Sequence, residues 1–143
     1  MKRRYRMVAI LSRLHRFLYE LLGGRFLSRR GNANFLLLGT TGRRSQRIKT
    51  VALLYVTRNG NPAVIGSFGG NPKAPNWLLN VRDNPNVTVQ IGKDRWQGIA
   101  RIAKSAEREE LLPRFVEIYA GYERYQSRTT RVFPIVMITQ TRD

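Results

Sequence analysis

The chain has 143 residues, 42% of them hydrophobic and 24% charged, which is typical of one globular domain and excludes a disordered chain. It has no cysteine, which excludes disulfides, thiol nucleophiles and iron–sulfur clusters, and its single histidine gives no basis for a metal site. The formal net charge of +17 indicates an anionic partner, which is a nucleic acid, an anionic membrane or a polyanionic small molecule.

The first 30 residues are rich in arginine and carry an amphipathic pattern. Apolar residues recur at helical spacing from Tyr5 to Leu22, and Gly23 and Gly24 follow, which predicts a helix that ends there. We expect this basic helix and a linker to span residues 1–30. A helix of this type either lies on an anionic membrane surface or packs on the rest of the protein, and the sequence leaves both open.

Residues 31–143 are expected to form the second unit, in which hairpin signals dominate. Short apolar or β-branched runs predict six strands, and Asn59-Gly60 is the strongest hairpin signal among them. The strands are predicted at residues 35–38, 49–57, 63–67, 87–91, 95–102 and 134–139, and helices at 75–81, from 105 to about 119, and at 122–128. Because a small antiparallel sheet of six strands tends to curl on itself, we expect an α+β fold built on a mainly antiparallel barrel with flanking helices.

One motif in this unit combines positive charge with a sharp turn. The sequence T-T-G-R-R-S at residues 40–45 joins a glycine to two guanidinium groups and a hydroxyl. Together with Lys49 on the following strand, these groups can hold a phosphate or several carboxylates. An arginine-rich turn that is only solvated is the alternative interpretation.

Three further motifs contain residues that suit a flat ligand. The paired glycines in G-S-F-G-G at residues 66–70 allow the backbone to approach a ring system, and Trp77 opens the helix that follows. Tyr119, Tyr122 and Tyr125 are spaced to share one helical face. Each motif also has an ordinary structural explanation, namely a loop, a core tryptophan and a packed tyrosine stripe.

Taken together, these motifs resemble a known family. The blocks T-T-G-R-R-S, T-V-A-L-L-Y-V, G-S-F-G-G, P-N-W-L-L-N-V-R-D-N-P and I-Y-A-G-Y-E-R-Y-Q-S-R-T are similar in order and spacing to those of the deazaflavin-dependent nitroreductase family, from about Phe35 to the C-terminus. The resemblance implies a split β-barrel of the FMN-binding or pyridoxamine-phosphate-oxidase type. It also implies an oxidoreductase that transfers a hydride from reduced coenzyme F420, a deazaflavin, to a small acceptor such as a quinone or a nitroaromatic compound.

The resemblance further implies a role for each matching residue. Arg43, Arg44 and Ser45 would hold the phosphate and the anionic tail of the cofactor, and Lys49 and Thr50 would extend that contact. The other implied cofactor-binding residues are Gly66, Ser67, Phe68, Gly69, Gly70, Asn76, Trp77, Leu78, Leu79, Asn80 and Tyr122. Tyr119 and Leu54 would line the substrate pocket, which Tyr122 and Tyr125 would help to close. One of these two tyrosines, or solvent, would deliver the proton that accompanies the hydride.

Three positions depart from the family pattern. Gln46 stands where glycine is common, Phe68 stands where some members have lysine, and Leu54 stands where some members have tyrosine. Because of these three departures, the resemblance does not determine the cofactor affinity or the substrate range of this chain.

Other interpretations of the chain stay open. A split barrel that uses FMN would have the same fold, and a barrel that binds lipid without catalysis would suit the basic helix. The charge also allows a nucleic-acid binder, but no recognised binding motif is present and we expect no specific nucleic-acid partner. We expect a cytoplasmic protein, peripheral on the inner face of the cell membrane if residues 1–22 bind lipid, and a barrel able to pair into a homodimer.

Overall fold

The computed structural model describes residues 29–30, 33–66, 73–118, 127, 130 and 132–142. Within these ranges the elements are β1 (Arg29–Arg30), β2 (Ala33–Thr41), β3 (Ile48–Arg58), β4 (Asn61–Ile65), α1 (Asn76–Asp83), β5 (Asn86–Ile91), β6 (Asp94–Ile102), α2 (Ser105–Ile118) and β7 (Ile135–Gln140). The helix predicted over residues 5–22 lies outside the described residues, as do all but one residue of the helix predicted over 122–128. Both helices and the division of the chain at residue 30 therefore remain predictions.

Strands β2 to β7 form a closed antiparallel barrel. The sheet runs in the order β1-β2-β3-β4-β7-β6-β5, and β2 also pairs with β5, so that the six strands close on themselves. The closure passes through Gly39, which pairs with Thr88; a Cβ atom at position 39 would collide with the Thr88 side chain. The predicted barrel, mainly antiparallel and with flanking helices, is confirmed.

The tight turn between β3 and β4 was also predicted correctly. Asn59 and Gly60 have φ angles of 51° and 79°, and the strands pair on either side through Arg58 and Asn61. Two consecutive residues with positive φ form the type of turn whose twist matches that of a β-hairpin. The strongest turn signal in the sequence therefore sets the register of this hairpin.

The first long strand extends further than its sequence indicated. The prediction ended it at Leu38 and gave residues 39–41 to a turn, whereas β2 continues to Thr41. Gly39 and Thr40 pair with β3 on one side and with β5 on the other. Barrel closure thus holds a glycine and two threonines in a strand, although this composition is typical of a turn.

The interior of the barrel is filled by alternate residues of its strands and by one face of α1. The buried members of this interior core are Leu36, Leu38, Val64, Trp77, Leu78, Val81, Val87, Val89, Ala100, Val136 and Ile138. Three of them, Trp77, Leu78 and Val81, come from α1, which therefore packs against the inside of the barrel.

A second cluster, the α2 core, lies between α2 and the outer face of the barrel. It consists of Val56, Ala63, Ile65, Leu111, Phe115, Phe133, Ile135 and Met137. Successive residues of β4 and β7 pack alternately in the interior core and in the α2 core, so both strands are buried on both faces. This explains why their sequences are continuously apolar instead of alternating.

No helix in the described ranges is both long enough and apolar enough to cross a bilayer.

Glu107 anchors the beginning of α2 to the barrel. Its carboxylate accepts hydrogen bonds from the guanidinium of Arg101 at 2.7 and 2.8 Å, from Arg58 at 3.4 Å, and from the backbone N–H of Lys104 at 2.9 Å. Arg58 also pairs with Glu110 at 2.8 Å. These contacts, chiefly the hydrogen bond from Arg101, lower the pKa of Glu107 from its ordinary 4.5 to about 2.

The depressed pKa of Glu107 predicts a loss of stability in acid. The carboxylate is ionised in the folded state down to about pH 2, whereas in the unfolded chain it takes up a proton near 4.5. Its contribution is therefore complete above about pH 5 and is lost progressively as the pH falls toward 2. We expect the urea midpoint to fall over this interval, and to fall less in Glu107→Gln, whose side chain does not titrate. The matched control is Glu109→Gln on the exposed side of the same helix, which should follow the wild type. Equal pH dependence in wild type and Glu107→Gln would contradict this assignment.

Candidate cofactor-binding site

The connection between β2 and β3, residues 42–47, is called here the basic turn. Gly42 donates its backbone N–H to the carbonyl of Arg47 at 2.8 Å and accepts from the N–H of Gln46 at 2.9 Å. The hydroxyl of Ser45 accepts from the N–H of Arg47 at 3.2 Å, so part of its bonding capacity serves the turn itself. Arg44, Ser45 and Arg47 are exposed, and so is Lys49 just beyond the turn. Arg44, Ser45 and Lys49, three of the predicted anion-binding residues, are thus exposed near one another in sequence, whereas Arg43 and Thr50 are half-buried.

Gln46 occupies a backbone conformation that favours glycine. Its φ angle is 57°, in the left-handed region that residues with a Cβ atom adopt at a cost. The side-chain Nε2 donates to the carbonyl of Arg43 at 3.1 Å, which offsets part of that cost. Gln46 is therefore held in a turn conformation that suits glycine.

Replacing Gln46 with glycine should stabilise the fold. Glycine adopts a φ of 57° without strain, and this gain exceeds the loss of an exposed hydrogen bond and the added freedom of the unfolded chain. We expect an increase in the free energy of unfolding of about 0.5–1 kcal/mol, and a decrease for Gln46→Val, since a β-branched residue is least suited to this region. Urea unfolding of both variants checks this; a more stable valine variant would be incompatible with the strained turn.

Arg43 connects the basic turn to α1. Its Nη1 donates to Oδ1 of Asn80 at 2.7 Å and to the carbonyl of Asn76 at 3.1 Å, and its backbone N–H approaches the same Oδ1 at 3.3 Å. Asn80 in turn donates from Nδ2 to Oγ1 of Thr40 at 3.0 Å. Three of the predicted cofactor-binding residues are thereby brought into direct contact, although they come from two separate motifs.

The remaining predicted residues of α1 divide between surface and core. Asn76 is exposed and Leu79 is half-buried, whereas Trp77 is 7% exposed and Leu78 is completely buried in the interior core. The burial of Trp77 and Leu78 favours the packing role that the sequence left open for the tryptophan. Their contact with a cofactor remains a prediction.

Gly66 lies where β4 ends and packs closely against α1. A Cβ atom at this position would lie 3.1 Å from Cδ2 of Leu78, and the Gly66 N–H donates to the carbonyl of Pro134 at 2.9 Å. Its small size therefore lets α1 approach the barrel. The rest of the glycine motif, Ser67, Phe68, Gly69 and Gly70, lies outside the described residues, and its part in cofactor binding stays a prediction.

The predicted substrate pocket is described only at Leu54. This side chain is half-buried and packs against the α2 core, as does Ile118 at the end of α2. Tyr119 follows Ile118 directly in the sequence, but Tyr119, Tyr122 and Tyr125 lie outside the described residues. Their predicted roles are therefore untested by the structure.

A cavity of about 620 Å³ beside β2, β3, β5 and β6 was not predicted. It is lined by Leu37, Gly39, Thr50, Thr88, Val89, Gln90, Arg95, Trp96 and Gln97. Thr50 is the only predicted cofactor-binding residue among them. The alternation of polar residues along β5 and β6 was the available signal, because it marks an outward face, but alternation does not distinguish a cavity from a flat surface.

The fold and the basic turn define a class of protein. In the described ranges, a closed six-stranded antiparallel barrel carries two helices and a cationic turn beside one of them, which is the architecture of a split β-barrel. A family model described as F420H(2)-dependent quinone reductase matches residues 11–140. The chain belongs to this family, which confirms the family predicted from the sequence.

Curated relatives and solved structures agree with this assignment. The F420H(2)-dependent quinone reductase Rv1261c of Mycobacterium tuberculosis is 32% identical over 139 residues, covering 91% of this chain and 90% of the relative. Rv3178 of the same organism, assigned to the same activity, is 38% identical over 103 residues, which are 72% of this chain and 87% of the relative.

Among solved structures, an F420-H2 dependent reductase (FDR-A) is 38% identical and superposes with a TM-score of 0.67 over 73% of this chain and 93% of its own. A structure described as a domain-swapped dimer is 34% identical with a TM-score of 0.70, over 89% of this chain and 94% of its own. A protein from Listeria innocua assigned as a pyridoxamine 5'-phosphate oxidase is 14% identical with a TM-score of 0.56, over 90% and 94%, and supports the fold alone. The predicted split barrel is confirmed.

Proposed function

We propose that this chain transfers a hydride from reduced coenzyme F420 to a quinone, with the anionic part of the cofactor held at the basic turn. The enzyme class, the cofactor and the quinone acceptor follow from membership of the F420H(2)-dependent quinone reductase family. The assignment of the anionic part to the basic turn is supported by one observation above the others. Arg43 is fixed in place, and in the described part of the chain no carboxylate lies within 4.0 Å of its guanidinium.

The side chains of the basic turn fit the chemistry of this cofactor. Coenzyme F420 carries a phosphate and an oligoglutamate tail, so its binding site must supply several cations. Arg44, Arg47 and Lys49 are exposed beside Arg43 within seven residues of sequence, and Ser45 adds a hydroxyl. Guanidinium groups bind phosphate and carboxylate oxygens through paired hydrogen bonds, which makes this turn the best anion site among the described residues.

The protein's own task in the reaction is placement. When bound, the reduced deazaflavin supplies the hydride, so no nucleophile or metal of the protein is required. Arg43, Arg44 and Lys49 hold the anionic end, while α1 and the strand that carries Thr50 form the adjoining walls. With the cofactor bound, these residues would orient it toward the acceptor and would exclude water from the reacting groups.

The proton that accompanies the hydride is proposed to come from Tyr122 or Tyr125. The proposal is based on the sequence, in which both phenols lie in the motif that resembles the family's substrate pocket. A phenol can donate to the reduced oxygen of a quinone. We expect Tyr122→Phe or Tyr125→Phe to lower kcat by about a hundredfold, the lower end of the range for general acid catalysis. Single-turnover oxidation of the reduced cofactor measures this, and unchanged rates in both variants would assign the proton to solvent.

The direct test of the proposed function is an oxidation assay. Purified protein is mixed with reduced F420 and a water-soluble naphthoquinone, and the return of the oxidised deazaflavin absorbance is followed. Under anaerobic conditions we expect the protein to accelerate quinone-dependent oxidation of reduced F420, and to leave the spontaneous oxidation of reduced FMN by the quinone unchanged. A protein that binds F420 but does not reduce the quinone would contradict the proposed acceptor.

Three finer points are also proposed. Nitroaromatic compounds are accepted because they are planar and reducible as quinones are. The oxidation assay repeated with a nitroaromatic acceptor tests this.

Residues 1–22 bind anionic lipid, as their basic amphipathic pattern suggests. Sedimentation with anionic vesicles tests this binding.

The barrel pairs into a homodimer, which the domain-swapped neighbour supports. Sedimentation equilibrium measures the mass of the assembly.

A further inference from the structure

Arg43 presents one edge of its guanidinium to its neighbours and keeps the other edge available. Both contacts of the side chain use Nη1, which donates to Oδ1 of Asn80 at 2.7 Å and to the carbonyl of Asn76 at 3.1 Å. Nε and Nη2 hold no hydrogen bond with any residue that the structure describes. A guanidinium held by one nitrogen retains the two-pronged edge that matches a phosphate or a carboxylate.

Asn80 is itself held in one orientation. Its side chain is buried, with 4% exposure, and its Nδ2 donates to Oγ1 of Thr40 at 3.0 Å. Thr40 is completely buried on β2. The amide contacts both neighbours without adding charge, because Oδ1 accepts from Arg43 while Nδ2 donates to the hydroxyl. An apolar side chain can make neither contact, and a carboxylate, which could accept from both neighbours, would place a negative charge against Arg43.

The two groups that accept hydrogen bonds from the Arg43 side chain are electrically neutral. Among the described residues, the arginines that do contact acidic side chains are Arg58 and Arg101, and the carboxylates of Glu107 and Glu110 neutralise them. Arg43 is fixed by an amide and a backbone carbonyl, so its positive charge stays uncompensated while its rotational freedom is reduced. A pre-oriented cation loses less conformational entropy when it binds an anion.

We propose that Asn80 is a positioning residue that does not touch the cofactor but aims the free edge of Arg43 at an oxyanion of its phosphate or carboxylate groups, with Thr40 fixing the amide. This inference rests on the proposed function. It replaces the direct cofactor contact predicted for Asn80 from the sequence with an action through Arg43.

The test compares two ligands that differ only in the anionic part. Coenzyme F420 carries the phosphate and tail, and the corresponding deazaflavin nucleoside lacks both. We expect Asn80→Ala to raise the dissociation constant of F420 by about tenfold and that of the nucleoside by less than about twofold. In turnover the KM for reduced F420 should rise while kcat at saturation is unchanged. If Asn80→Ala instead disrupts the packing of α1, the binding of both ligands should weaken together and kcat should fall. That result would overturn the proposal.

Two further variants separate position from charge. Asn80→Asp keeps the volume and the oxygen that faces Arg43 but neutralises the guanidinium, so F420 affinity should fall although the arginine is held firmly. Thr40→Val leaves Asn80 in place and removes the hydroxyl that orients it, and should produce a smaller loss for F420 alone. Circular dichroism and urea unfolding confirm that each variant is folded. Undiminished F420 affinity in the folded Asn80→Asp variant would contradict the proposed role.

A double-mutant cycle with Arg43→Ala decides whether Asn80 acts through the arginine. We expect Arg43→Ala and the double variant to bind F420 equally weakly, because Asn80 then has no guanidinium to position, although its contact with the backbone N–H of residue 43 remains. Additive losses would mean that Asn80 contacts the cofactor itself. Arg82→Ala, which removes an exposed positive charge from the same helix, is the matched control and should change F420 affinity by less than about twofold.

These outcomes distinguish this inference from the proposed function on which it rests. Unchanged F420 binding in Arg43→Ala would refute the assignment of the basic turn, and the positioning role with it. A loss in Arg43→Ala without a loss in any variant of Asn80 or Thr40 would refute the positioning role alone.

Discussion

Replacement of Arg43 with alanine is expected to weaken the binding of coenzyme F420 by about tenfold to a hundredfold, the range for a hydrogen bond between charged groups. The reason lies in the geometry of this residue, whose guanidinium is fixed against α1 at 2.7 Å from Asn80 and faces no carboxylate in the described part of the chain. Fluorescence titration with the oxidised cofactor measures the dissociation constant directly.

Lysine at position 43 should not restore this affinity. An ammonium group keeps the charge but lacks the planar fork that can contact Asn80 with one nitrogen and an oxyanion with the others. Arg142→Ala, an exposed charge near the end of the chain, is the control for a general effect of net charge. Full affinity in Arg43→Lys would show that charge alone, and not the fixed fork, accounts for binding at the turn.

Replacement of Phe115 with alanine is expected to cost about 3–5 kcal/mol of stability, the usual range for removal of a buried phenylalanine. Phe115 is completely buried in the α2 core, where it holds α2 against the outer face of the barrel. A domain of this size is stabilised by only about 5–15 kcal/mol, so the variant should be close to unfolding at 37 °C.

Urea unfolding of Phe115→Ala at 25 °C gives the free energy directly, and Glu117→Ala supplies the control. Glu117 is exposed on the same helix, and its removal should change the free energy of unfolding by less than about 0.5 kcal/mol. A loss below about 1 kcal/mol in Phe115→Ala would mean that α2 contributes little to holding the barrel.

The parts of the fold that depend on local signals could be predicted from the sequence. Asn59-Gly60 adopts the two positive φ angles that its composition indicates, and α2 begins at Ser105, where its prediction placed it. The extension of β2 through Gly39 could not be predicted, because the pairing with β5 that holds it there involves residues about 50 positions away. Local composition carries no information on such a pairing.

The sequence predicted which residues form the candidate site, but it could not predict which of them contact one another. The charges of T-T-G-R-R-S indicated an anion site, and the structure places them together on the basic turn. The contact between Arg43 and Asn80 joins residues 37 positions apart and depends on how α1 packs in the barrel. For the same reason the sequence could not determine that Leu78 is buried in the core while Asn76, two positions before it, is exposed.

The measurement that tests the central claim most directly is a competitive titration of the full chain with coenzyme F420 and FMN at moderate salt. The account predicts that F420 binds, that FMN does not displace it at equal concentration, and that added salt weakens the complex because cations of the basic turn hold an anionic tail. Binding of FMN in preference to F420 would contradict the account, and would make this chain a flavin-binding barrel instead.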